Sequence, residues 1–208
     1  MKVLIATTNK GKIREFNSLL EGLDIEVIGL GECGVTPVPS IEEDGQTYAE
    51  NTLKKAKTMH QLTGLPVIAD DSGLEVDSLH GRPGIFSARF AGPGASDDDN
   101  NRKLLALLGQ TPNRKARFRA AVVLVDNGVE EVFTGAIEGT IAHHPAGSEG
   151  FGYDPVFIPE GYAQTFAEIG THIKNKISHR ARAMEKLKNY FSSVLHPRLT
   201  ARIPGLTR

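Results

Sequence analysis

The sequence predicts an α/β fold built on a mixed sheet. Three observations carry this. The chain opens with a strand-like run, Lys2 to Thr8, followed by a polar turn with glycine and a helical pattern at Ile13, Phe16, Leu19 and Leu20. A second apolar run, Leu65 to Ala69, leads into Asp70-Asp71-Ser72-Gly73. Two long strand-like runs, Ala116 to Asp126 and Val129 to Ala142, flank Asn127-Gly128, a strong hairpin signal. An antiparallel hairpin among βα units makes the sheet mixed.

Composition sets the frame. The chain has 208 residues, 39% hydrophobic and 24% charged. One domain, or two lobes sharing a sheet, is the natural organisation. Lys plus Arg total 24 against 25 for Asp plus Glu, which excludes the global basic field of a duplex-DNA binder. Cys33 is the only cysteine, which excludes an intrachain disulfide and argues against a thiolate zinc site, since such a site normally needs several cysteines. No apolar run reaches the ~18 residues of a membrane span. We expect a cytoplasmic protein with no nucleic-acid or membrane partner.

The first turn, Thr7-Thr8-Asn9-Lys10-Gly11-Lys12, lies between strand and helix. Free amides at a helix start and two lysines suit a phosphate, although the Gly-x4-Gly-Lys spacing of a P-loop is absent. An ordinary capped helix with solvated lysines reads the same way. Ile25 to Leu30 suits a second strand. The loop from Gly31 to Gly45 carries Glu42-Glu43-Asp44, which either complements the next helix dipole or brings a carboxylate to a metal. Thr47 and Glu50 form a capping-box pattern for a helix to about Leu62, stopped by Gly64 and Pro66. On it Lys55 shares a face with Asn51.

We expect the Leu65–Ala69 strand to end at Asp70-Asp71, with a new short strand from Leu74 to Leu79. Paired carboxylates at a strand end are costly unless a cation neutralises them, and a hard divalent ion fits. An Asp-Asp-Ser-Gly turn is the bland alternative. Gly81 to Gly94, with four glycines and two prolines, reads as a shaped loop. Ser96 caps a helix from Asp97 to Leu108, closed by Gly109. Phe151, in the glycine-flanked loop before Tyr153-Asp154-Pro155, suits either base stacking or a Phe-Tyr plug of the core. A short strand, Val156 to Ile158, follows. The last helix starts at Ser178 and runs to about Leu195. His179 and Arg180 in its first turn, with Lys174 just before, oppose the helix dipole; that local violation marks a candidate site whose donors could read a carbonyl. The tail, His196 to Arg208, lacks periodicity and is expected to be partly ordered at best.

Taken together, the motifs resemble the inosine triphosphatase family, the noncanonical purine nucleoside triphosphate pyrophosphatases. Four segments carry the resemblance, which spans Val3 to about Tyr190: Thr7 to Lys12 with Glu15; Ala69 to Leu74; Pro83 to Arg89; and Phe151 to Pro155 with Ile177-Ser178-His179-Arg180. It implies an elongated mixed β-sheet flanked by helices forming two lobes, with a central substrate cleft. Residues 1–195 would be this single two-lobed domain and 196–208 a tail. It also implies a homodimer that hydrolyses inosine, deoxyinosine and xanthosine triphosphates to monophosphate and pyrophosphate. The cofactor would be Mg²⁺, with Mn²⁺ able to substitute.

By the same resemblance, Thr7, Thr8, Asn9, Lys10, Gly11 and Lys12 would hold the triphosphate, with Lys55 assisting. Glu42 and Asp71 would be metal ligands, Asp71 also the proton acceptor, and Ser72 a substrate contact. Phe151 would stack on the base, with Gly152, Tyr153, Asp154, Lys174, His179 and Arg180 around it. Thr171-His172-Ile173 departs from the acidic residues that relatives usually carry there. A related fold, the septum-inhibitor-type pyrophosphatases acting on thymidine or uridine triphosphates, typically has a Ser-Pro-Arg-Arg-like first loop, unlike this one. A nucleotide-sensing module without turnover is the reading from another class.

Overall fold

The computed structural model describes residues 1–23 and 25–195. The expected tail, 196–208, lies outside the described residues. A six-stranded mixed sheet has the order β2-β1-β3-β4-β5-β6. Strand β1 (Lys2–Ile5) pairs in parallel with β2 (Glu26–Gly29) and with the start of β3 (Val67–Val76). From β3 onward the pairing is antiparallel, through β4 (Lys115–Asp126), β5 (Val129–Ile141) and β6 (Phe157–Pro159). The β4–β5 hairpin turns at Asn127-Gly128 as the sequence indicates, with Gly128 at φ +73°.

Helices cover the sheet where their apolar stripes demand. Helix α1 (Lys10–Leu20) buries Phe16 and Leu20 on the same face as Met184 and Leu187 of α6 (His179–Tyr190). Helix α2 (Tyr48–Thr63) covers the other face through Ala56 and Met59. It starts on the expected capping box of Thr47 and Glu50 and stops at Gly64 in the left-handed region. Helix α3 (Asp97–Leu108) closes a third cluster with Phe118, Phe157 and Phe166 at the far end of β3 and β4. Two short helices, α4 (Phe166–Ile169) and α5 (Thr171–Ile177), precede α6. They are too short to show a 3.6-residue period, so the sequence reading missed them. The end of α6 loosens into a π-helical turn, Phe191–Leu195.

One expectation is overturned. Asp70-Asp71-Ser72-Gly73 is neither a strand end nor a turn: β3 runs unbroken through it to Val76, paired with β4 along its whole length. Cross-strand pairing overrides the turn propensity of Asp, Ser and Gly. What ends here is the neighbour. The β1 pairing stops at Ile5↔Ile68, so beyond Ile68 one edge of β3 is released beside the loop that leads into α1.

Helix α6 lies so close to β5 that a Cβ on Gly135 would fall 2.7 Å from the Ala183 amide nitrogen and closer still to the His179 carbonyl oxygen. Gly135→Ala is therefore expected to lower stability by ~1–3 kcal/mol through overpacking, measured by urea unfolding. An unchanged midpoint would mean that α6 is not seated on this strand.

Candidate active site

The alternation of β3 decides the site. Ile68 faces α1 and α6, whereas Val67 and Ala69 face α2. With a period of two, Asp70 follows Ile68 and Asp71 follows Ala69. Asp70 is thereby delivered to α6. Its Oδ2 accepts from Nε and NH2 of Arg180, both at 3.0 Å, and Lys12 approaches its Oδ1 at 2.9 Å. Arg180 also donates to Glu15 and, at 3.0 Å, to Ser72 Oγ. Glu15 holds Lys174 at 2.8 Å, and Lys174 reaches Asp154 Oδ2 at 2.5 Å. Three cations, Lys12, Lys174 and Arg180, are thus matched by three carboxylates, Glu15, Asp70 and Asp154.

This pairing sets the ionisation states. Burial opposes the charge on Asp70, but Arg180 and Lys12 outweigh it and hold its carboxyl well below the usual range. Burial likewise opposes ionisation of Glu15, and Arg180 and Lys174 again prevail. Asp71 goes the other way. Burial raises its pKa, and Glu43 and Asp70 add like-charge repulsion against the pull of Lys12. Its Oδ1 accepts only the neighbouring Ser72 amide, at 2.9 Å, and its Oδ2 is buried without a hydrogen-bond partner. Adjacent carboxylates are pushed apart in pKa, the pattern of sites that divide acid–base labour.

A cavity of about 600 Å³ runs along this region. Thr7, Thr8, Asn9, Lys12, Lys55, Asp71, Ser72, Phe151, Gly152, Tyr153, Asp154, Lys174, His179 and Arg180 line it together. Three expected residues are not among its lining: Lys10, Gly11 and Glu42. Glu42 is exposed, and of the acids in its loop it is Glu43 that lines the cavity, bound to Lys55 at 2.5 Å and near Arg89 at 3.5 Å. In a loop without regular alternation, sequence could not tell which of the adjacent glutamates points inward. Gly11 and Lys12 amides are both capped by Asn9 Oδ1, at 2.8 and 3.1 Å.

At the other end, Phe151 and Tyr153 divide the two roles that the sequence left open. Tyr153 is buried in the core, its hydroxyl donating to the Ser87 carbonyl at 2.9 Å. Phe151 is half-buried and lines the cavity, with Lys174 Nζ 4.3 Å from its ring centroid. His179 stacks on Phe118 at 4.7 Å, with its Nδ1 buried and unpartnered. Burial first, then the cations Arg180 and Lys174, push its pKa well below the usual value, so it is neutral. The donors of Arg180 are largely committed to Glu15, Asp70 and Ser72, which makes it a clamp more than a reader of ligand. Glu15, Arg89 and Asp97 are cavity or network residues to which the sequence reading gave no chemistry of their own, and in that reading Glu43 is only one of three loop acids.

The fit of a divalent ion can be judged from the donors. Among the described residues no group of three or more His, Cys, Asp or Glu side chains forms a cage. Mg²⁺ commonly takes only one or two carboxylates and fills its octahedron with water and phosphate oxygens. The unpartnered Asp71 Oδ2, with Glu43 near enough to raise its pKa, suits that mode.

The comparisons with known proteins decide the family. The Ham1 family model matches residues 3–190. The chain belongs to the Ham1 family. It is 44% identical, over 91% of its length and 96% of the relative's, to a protein of Geobacter sulfurreducens named dITP/XTP pyrophosphatase. A Bacillus licheniformis protein of the same name is 49% identical over 89% of this chain and 95% of its own. A HAM1 protein structure from Coxiella burnetii superposes with a TM-score of 0.84 at 38% identity, covering 93% of this chain and all of that one. The Staphylococcus aureus Ham1 protein gives 0.83 at 39%, over 92% and 98%. The fold of this Ham1 protein is thus the family's mixed curled sheet with flanking helices.

The buried neutral His179 has a consequence for stability. Unfolded, it takes a proton below about pH 6.5; folded, it refuses one. Its folded pKa is depressed, so stability falls as pH falls below about 6.5 and continues to fall until the folded pKa is reached, by at most ~1.4 kcal/mol per pH unit. His179→Gln is expected to flatten this slope between pH 7 and 5 in denaturant titrations. An unchanged slope would mean that His179 is protonated in the folded protein.

Proposed function

We propose that this Ham1 protein hydrolyses noncanonical purine nucleoside triphosphates, those of inosine, deoxyinosine and xanthosine, to the monophosphate and pyrophosphate. The observation that carries this is one cavity joining a cationic end, with an unpartnered carboxylate beside it, to an aromatic and donor-lined end. The curated relatives' shared name supports the substrate class.

In this reading the triphosphate lies along Thr7, Thr8, Asn9, Lys12 and Lys55, and Arg89 extends the cationic wall. A water attacks the α-phosphorus, its proton passes to the Asp71 carboxylate, and the bond from the α-phosphorus to the bridging oxygen breaks to release pyrophosphate. Positioning and charge stabilisation supply most of the acceleration in such transfers. Asp71 and Glu43 would hold Mg²⁺, which when bound neutralises phosphate oxygens and acidifies a nearby water. This replaces Glu42 by Glu43 in the ligand set.

The base would lie against Phe151, with Lys174 and His179 at its edge. Two of the three ammonium protons of Lys174 are engaged by Glu15 and Asp154, leaving one to meet a C6 carbonyl. Against the C6 amino group of adenine that donor would face another donor, and a polar site built this way rejects the wrong partner by ~10⁴ or more. The reading treats residues 1–195 as one two-lobed domain. It also takes a homodimer from the inosine triphosphatase resemblance and keeps the expectation of a cytoplasmic location drawn from composition. No helix among the described residues is long and apolar enough to cross a membrane.

The test is hydrolysis of inosine, xanthosine, adenosine and thymidine triphosphates with Mg²⁺ in ¹⁸O-labelled water. Pyrophosphate should form from the inosine and xanthosine compounds, with ¹⁸O in the monophosphate. Label in pyrophosphate would place the attack at the β-phosphorus. Orthophosphate as product would place it at the γ-phosphorus. Turnover of thymidine triphosphate alone would indicate the septum-inhibitor-type activity, and tight binding without turnover a sensing module.

A further inference from the structure

Gly11 is the second residue of α1, and it does not use the freedom of a glycine. Its φ is not in the left-handed region, and alanine is the better helix former there. Its amide is not free for a ligand either, since Asn9 Oδ1 accepts from it at 2.8 Å. The reason for glycine lies across the cleft. A Cβ on Gly11 would fall 2.5 Å from Phe151 Cδ1 and 2.9 Å from Cγ and Cε1. The ring is laid directly on the bare backbone of the first helical turn, with Lys174 4.3 Å from its centroid.

The loop carrying that ring is tethered on the opposite side. The Phe151 amide donates to Asp154 Oδ2 at 2.8 Å and the Gly152 amide to Asp97 Oδ2 at 2.6 Å. The Gly152 carbonyl accepts from Asn101 Nδ2 at 2.9 Å. The backbone is held, so a side chain at position 11 would be relieved by turning the ring.

We propose that Gly11 is a positioning residue for base recognition: its missing side chain sets the place of the Phe151 ring, and so the place of the purine relative to the phosphate-binding turn. The first turn then serves the substrate at both ends, its side chains holding phosphate and its bare backbone supporting the aromatic platform. This rests on the reading of Phe151 as the base platform.

The experiment is a double-mutant cycle of Gly11→Ala and Phe151→Ala, with inosine triphosphate as substrate and inorganic tripolyphosphate, which has no base, as competitive inhibitor. Gly11→Ala is expected to raise KM for inosine triphosphate about tenfold, within the range that base–aromatic stacking spans. It should leave kcat within about threefold and tripolyphosphate inhibition unchanged. Phe151→Ala should also raise KM, and adding Gly11→Ala to it should change nothing further, because the ring it displaces is gone. The full Gly11→Ala penalty persisting in the Phe151→Ala background would overturn the proposal. So would tripolyphosphate inhibition weakening in parallel with KM, or Gly11→Ala behaving as wild type. If Gly11→Ala alone does not fold, the double variant decides: folding with the kinetics of Phe151→Ala supports the ring clash, and failure to fold refutes it. Failure of the underlying reading looks different, as an unchanged KM in Phe151→Ala itself.

Discussion

The site depends on Asp70 being consumed. A carboxylate buried to 1% exposure is tolerable only where cations and hydrogen bonds replace its water, and Arg180 with Lys12 does so. That pairing anchors the first turn of α6 to the middle of β3. It also resolves the apparent error of placing His179 and Arg180 at a helix N-terminus. The arginine's charge is answered by Asp70 and Glu15, and the histidine carries none.

Asp71 is the counterpart. It leaves the strand on the other face, where no cation claims its Oδ2, and burial raises its pKa. Two identical residues, adjacent in the chain, therefore do opposite things: one is bound into the scaffold, the other stays available. Strand alternation makes this division possible, and a turn would have placed the two carboxylates beside one another. The end of β1 at Ile5 matters equally, because it opens the edge of β3 to the turn from Thr7 to Lys12.

Much of this was legible in sequence. The capping box of α2, the Ser96 cap of α3, the Asn127-Gly128 hairpin and the strand–turn–helix start rest on local chemistry that survives tertiary context. The meaning of Asp70-Asp71 did not, because turn propensity is local and the decisive partner, β4, joins from 52 residues downstream in register, with Val122 opposite Asp70. Glu42 and Glu43 could not be told apart because an irregular loop has no period. Glu15 was visible only as part of a motif; its bridging of Lys174 and Arg180 requires the chain to close on itself. Gly11 looked like a phosphate-loop glycine, and its packing against Phe151 is a contact between residues 140 positions apart.

The division of labour between the two aspartates is tested most directly by comparing Asp70→Asn with Asp71→Asn, reading urea stability and turnover of inosine triphosphate on each. Asp70→Asn should cost ~3–5 kcal/mol of stability, because it leaves Lys12 and the buried Arg180 to share one carboxylate fewer, with only Glu15 still answering the arginine. Asp71→Asn should keep or slightly gain stability, since it removes a carboxylate whose charge is disfavoured, while turnover falls by orders of magnitude. Equal loss of stability in both variants, or near-normal turnover in Asp71→Asn, would contradict the account.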